Sequence, residues 1–148
     1  MRWWRTKILS SKENKVRNKK NWLIMVIIFG MTAYTVYASP GRTLSDFNNR
    51  FSEIRNAGNY SGWRNADSIF AVYATSGRTL SEFNNRFSEI RNAGNYSGWT
   101  NADVIFAVYA ASGRTLSEFN NRFSEIRNSG NYSGWTNAST IFAVYAGF

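Results

Sequence analysis

The chain has 148 residues, a formal net charge of +9, and neither cysteine nor histidine. Those absences exclude a disulfide framework and a thiolate metal site, and remove the commonest general base and metal ligand. The length allows one domain at most beyond the N-terminal region.

Residues 1–21 form a basic segment with eight Lys/Arg against Glu13, a balance of +7; residues 39–148 hold ten Arg against eight acids, a balance of +2. Clustered cations can bind nucleic acid by releasing counterions from phosphates. Here the cluster abuts an apolar run, so its context points to a membrane-facing role and away from nucleic acid.

Trp22 to Ala38 is a run of 17 residues without a charge. A helix crossing a bilayer core needs roughly 20 apolar residues, with about 17 as a lower limit. The segment 22–38 therefore reads as an apolar helix, either the h-region of a signal peptide or a transmembrane anchor. Val36 and Ala38 suit cleavage after Ala38. Tyr34 and Tyr37 suit an interfacial anchor, and the upstream cations place the N-terminus inside. Either form exports residues 39–148, leaving the protein secreted or held at the membrane with those residues extracytoplasmic.

From Gly41 the text repeats every 36 residues, giving units 41–76, 77–112 and 113–148. Such a period marks a stacked array in which each unit buries a face against the next. In the middle unit, Thr79 and Glu82 have the spacing of a capping box. Leu80, Phe83, Phe87 and Ile90 then fall on one stripe of a 3.6-residue period, with Glu82 and Arg86 at i, i+4 and Gly94 as a stop. This predicts a helix over 80–93, with Asn85, Ser88, Glu89 and Asn92 on its solvated side.

The loop Gly94-Asn-Tyr-Ser-Gly-Trp99 comes next, and recurs at 58–63 and 130–135. Aromatic faces beside amides and hydroxyls suit stacking on a sugar ring, and three such loops suit a polymeric ligand through avidity. The candidate binding residues are therefore Tyr60, Trp63, Tyr96, Trp99, Tyr132 and Trp135. The same rings could instead fill the space between helices, as large aromatics commonly do.

The second element of each unit starts near Asn101. Ala102, Ile105, Phe106 and Tyr109 fit a helix, with Asn101 as cap and Gly113 as stop. A short buried strand is the alternative, because Val104-Ile105-Phe106 alone has β character. The fold class expected is all-α: a leader helix and three helix-turn-helix units in a short α-solenoid-like array. An α+β repeat is the alternative. The period approaches the roughly 34 residues of tetratricopeptide repeats, but their W-x₂-L-G-x₂-Y pattern is absent.

Catalysis has little to build on. Glu53, Glu89 and Glu125 occupy equivalent positions, whereas a carboxylate pair needs environments that differ. The position of Asp67 and Asp103 becomes Ser139 in the third unit. No His or Lys among the repeats could activate a serine. The sequence thus predicts a non-enzymatic, cofactor-free binding module of the cell envelope. Its partner would be a cell-wall glycan or a surface protein, with the membrane added if the leader is retained. A membrane-anchored assembly protein that self-associates through its repeats is the alternative.

Overall fold

The computed structural model describes residues 42–148 in full. Ahead of them it describes only the backbone of two short strands, β1 (Ile24–Phe29) and β2 (Thr32–Tyr37), paired antiparallel with Ile24 opposite Tyr37 and Phe29 opposite Thr32. The helix expected over the apolar run 22–38 falls in part on residues outside those described. The rest of the apolar run and the basic segment 1–21 lie outside the described residues. Among the described residues no helix is long and apolar enough to cross a membrane.

From residue 42 onward all regular structure is helical. Six helices follow in three pairs: α1 (Leu44–Ala57) with α2 (Ala66–Thr75), α3 (Leu80–Ala93) with α4 (Ala102–Ala111), and α5 (Leu116–Asn128) with α6 (Ala138–Gly147). The first helix of each pair starts on a complete capping box. In α3 the Thr79 amide donates to Glu82 Oε2 at 2.9 Å, and the Glu82 amide donates to Thr79 Oγ1 at 3.3 Å. Thr43 with Asp46 and Thr115 with Glu118 do the same. Two amides otherwise left without intrahelical partners are satisfied each time.

α1 and α3 end at Gly58 and Gly94, in the left-handed region at φ 75° and 77°. α5 stops one residue sooner in its unit. Ser129 replaces alanine there, and its hydroxyl donates to the Ile126 carbonyl at 2.7 Å, competing with the last helical turn.

The second element is a helix in all three pairs, not the alternative strand. In α4 every residue from Asp103 to Ala110 is buried, so the run is apolar on all sides because all sides are covered. Its ends differ from expectation. Asn101 stands at the N-cap position, but its side chain makes no capping bond. At the far end Ser112, not Gly113, is the cap, with its hydroxyl on the Tyr109 carbonyl at 2.8 Å. A serine that satisfies a terminal carbonyl itself removes the need for a left-handed glycine.

Each first helix packs on the second helix of its own pair, and α2, α4 and α6 pack on one another in sequence. The three second helices are thus the spine of the core. The first helices add Ile54, Phe83, Phe87, Ile90, Phe119 and Phe123 to it. The Glu82–Arg86 ion pair does not form. The Glu82 carboxylate is held by Thr79, and Arg86 turns away to donate to the carbonyls of Tyr109, at 3.2 Å, and Arg114, at 2.6 Å. A guanidinium at the carbonyl end of α4 meets the negative end of the helix dipole.

Candidate functional site: the aromatic loops and the recess between them

The loop that joins the two helices of a pair is a chain of tight turns. In the first pair the amides of Ser61, Trp63 and Ala66 donate to the carbonyls of Gly58, Tyr60 and Trp63. This winding sends Tyr60 inward and leaves Asn59, Ser61 and Gly62 outside.

The six aromatic residues singled out by the sequence do not form one equivalent row. Tyr60 and Tyr96 are core residues, each 5% exposed. The Tyr60 ring lies 4.8 Å from Phe87 of the following pair, and its hydroxyl donates to Asn84 Oδ1 at 2.6 Å. Tyr96 repeats this on Phe123 and Asn120, at 4.7 and 2.7 Å. Burial pushes both phenols up to about 12. Each of these two loops packs against the next pair's first helix, and the tyrosine fills that contact.

Trp63 and Trp99 are half-buried. Trp63 stands edge-to-face on Phe87 at 5.2 Å and 84°, with the Arg91 guanidinium 6.0 Å from its ring centre. Trp99 meets Phe123 at the same 5.2 Å and 84°, with Arg127 at 5.8 Å. Tyr132 and Trp135 pack on each other at 5.7 Å, and Trp135 is 63% exposed.

Between the first two loops lies an open recess of about 490 Å³, lined by Asn59, Gly62, Trp63, Arg64, Trp99, Thr100, Ala102 and Asp103. Two of the predicted tryptophans therefore share one surface. Beside them, Asn59, Arg64 and Thr100 are exposed, and their side chains make no hydrogen bond among the described residues. Asp103 is different, being 7% exposed. Its carboxylate accepts from the Asn65 amide at 3.0 Å, from Asn65 Nδ2 at 2.8 and 3.0 Å, and from the Val104 amide at 2.9 Å.

Sequence reasoning missed Asn59, Arg64, Thr100 and Asp103 as neighbours of the tryptophans. The available signal was Arg64, the one position in the loop region where the first unit departs from Thr100 and Thr136. It also missed the Asn65–Asp103 pairing, which joins residues 38 apart. The unvarying asparagine has the position of a helix cap and instead clasps the next pair.

Five other carboxylates are engaged in structural contacts. Glu53 and Glu89 accept from the hydroxyls of Tyr73 and Tyr109 at 2.7 and 2.6 Å. Those tyrosines lie under the guanidinium groups of Arg50 and Arg86, each 4.2 Å from the ring centre. Burial first, and then the bond to glutamate, raises both phenols to about 12. Hydrogen bonds from Thr43, Thr79 and Thr115 hold Asp46, Glu82 and Glu118 below the usual carboxylate range. No group of three acidic, His or Cys side chains that could hold a metal ion occurs among the described residues.

Compared with protein-family models, with curated proteins and with solved structures, the chain matches none.

Proposed function

We propose that the chain is an exported, cell-envelope-associated array of three stacked helical units acting as a non-catalytic binding module. Its ligand is a cell-wall glycan held in the recess between the first two loops. The observation that carries this reading is the pairing of two half-buried indoles with unengaged amide, hydroxyl and guanidinium groups around one opening. Indole surface suits the apolar face of a sugar ring, and the polar groups suit its hydroxyls. Glu53, Glu89 and Asp103 are each held in structural bonds, so none of these three stands as a poised acid or base, which supports a non-catalytic role.

The test is cosedimentation of the full-length chain with insoluble peptidoglycan. The wild type should pellet with it, and a triple Asn59→Ala, Arg64→Ala, Thr100→Ala variant should remain in solution. Equal pelleting of both would discard the recess as the site, and a soluble wild type would discard the glycan. Export is tested by the first residue of the mature protein. Ser39 is expected, from cleavage after Ala38; Met1 would make the leader an anchor.

A second reading, self-association, is favoured by one observation. Phe51, Asp67 and Tyr132, on the outer faces of the first and third pairs, are less covered than the equivalent residues between pairs.

A further inference from the structure

The interface between successive helix pairs is built twice inside the chain, from the same parts. Tyr60 and Trp63 cover Phe87, the Tyr60 hydroxyl reaches Asn84, Asn65 clasps Asp103, and Arg50 donates to the Arg78 carbonyl at 2.6 Å. One pair later, Tyr96 and Trp99 cover Phe123, Tyr96 reaches Asn120, and Arg86 reaches the Arg114 carbonyl. Only the clasp changes: Asn101 meets Ser139 at a long 3.4 Å, because serine stands where the other units carry aspartate.

Each half of this interface is also present less covered at the ends of the array, where β2 packs on α2 and α6. On the far side of the third pair, Tyr132, Trp135 and Asn137 occupy the positions of Tyr60, Trp63 and Asn65. Trp135 is 63% exposed, and the Tyr132 hydroxyl has no partner among the described residues. On the near side of the first pair, Leu44 is 76% exposed, whereas its counterpart Leu80 is half-buried. Phe51 is half-buried, whereas its counterparts Phe87 and Phe123 are each 2% exposed. Asp67 is exposed and accepts no hydrogen bond among the described residues, whereas Asp103 at the same position is clasped.

We propose that the outer face of the third helix pair docks on the outer face of the first pair of a second copy of this chain. The contact repeats, between molecules, the interface made twice within each one. The occupant is set by the chain itself, since the structure shows what covers Phe87 and Phe123, and the same side chains recur at Tyr132, half-buried, and Trp135, exposed. Trp135 and Tyr132 would cover the second copy's Phe51, and Asn137 would clasp its Asp67. That clasp is the aspartate form, with the geometry of Asn65 on Asp103, and not the weaker serine form. The two faces differ, so the contact is head-to-tail and leaves both ends of any oligomer open to further addition.

This inference rests on the self-association reading, and its test separates the two. Sedimentation velocity of the full-length chain over a concentration series should show growing oligomers. Trp135→Ala should weaken association by about 30-fold, the scale for truncating an interface tryptophan. Asp67→Lys should weaken it from the opposite face, with Leu44→Lys as a second block there should the helix start be disturbed. Mixing Trp135→Ala with Asp67→Lys should give 1:1 dimers that grow no further, since each variant keeps one intact face. A wild type that stays monomeric overturns both the inference and the reading. Oligomers unmoved by any of the three substitutions overturn this interface and leave self-association standing. Variants that lose association but form no mixed dimer overturn the head-to-tail arrangement.

Discussion

Trp63, Trp99 and Trp135 occupy the same place in the same text, yet their surroundings differ. Trp99 has Phe123 at 5.2 Å and Phe142 at 6.5 Å, while among the described residues Trp135 has only the Tyr132 ring, at 5.7 Å. Trp99→Ala should therefore cost about 3 kcal/mol in urea unfolding, the scale for emptying a packed aromatic site. Trp135→Ala should shift monomer stability by no more than about 0.5 kcal/mol, as exposed substitutions do. Equal losses at the two sites would mean that the loop acts within its own unit and not across to the next. The tyrosines carry a second signature. Tyr60, Tyr73, Tyr96 and Tyr109 are raised from 10.0 to about 12 by burial, so ultraviolet titration of the folded chain should show four phenols ionising late. Tyr96→Phe should remove one of them and cost about 1 kcal/mol, the usual net worth of the hydroxyl's bond to Asn120.

Helix starts are legible in the sequence because a capping box is a local device: Thr79 and Glu82 need only each other and three residues of chain. Thr79→Ala should cost about 1 kcal/mol of stability by thermal melting. Gly94→Ala isolates a backbone effect. A Cβ there meets no atom within 4 Å, but φ is +77°, so a loss of about 1 kcal/mol would come from conformational strain alone. The second helices are less legible. A ten-residue apolar run has no polar face to reveal its period, and only its neighbours on every side settle α4 as a helix. The asparagine before it misleads for a related reason. Its position is that of a cap, but its partner, Asp103 for Asn65, lies 38 residues away and belongs to the next pair.

At the scale of the whole molecule, stability should fail at both extremes of pH for different groups. The capping carboxylates of Asp46, Glu82 and Glu118 are lowered in the folded chain. Their contribution is present above the ordinary carboxylate range and disappears as pH falls through the lowered values. The four raised tyrosines act in the opposite sense. Their contribution is complete below 10.0 and is lost as pH rises through about 12. Circular dichroism at 222 nm should stay flat up to about pH 10 and collapse cooperatively above it, because all four phenols belong to one core. Phenol ionisation without loss of helix would mean that these rings can reach water in the folded state.

The sequence by itself determined the helix starts, the 36-residue spacing, the stripe of Phe83, Phe87 and Ile90, and the uneven charge between residues 1–21 and 39–148. Each depends on residues near one another in the chain, where geometry is set by bond lengths and helical period. Only the tertiary structure decided which aromatics are core and which are surface, that Arg86 caps α4 instead of pairing with Glu82, and that Asn65 binds Asp103. Identical units have identical local rules, so what separates Tyr96 from Tyr132 is the presence of a neighbour. Burial is a property of that neighbour as much as of the residue it covers.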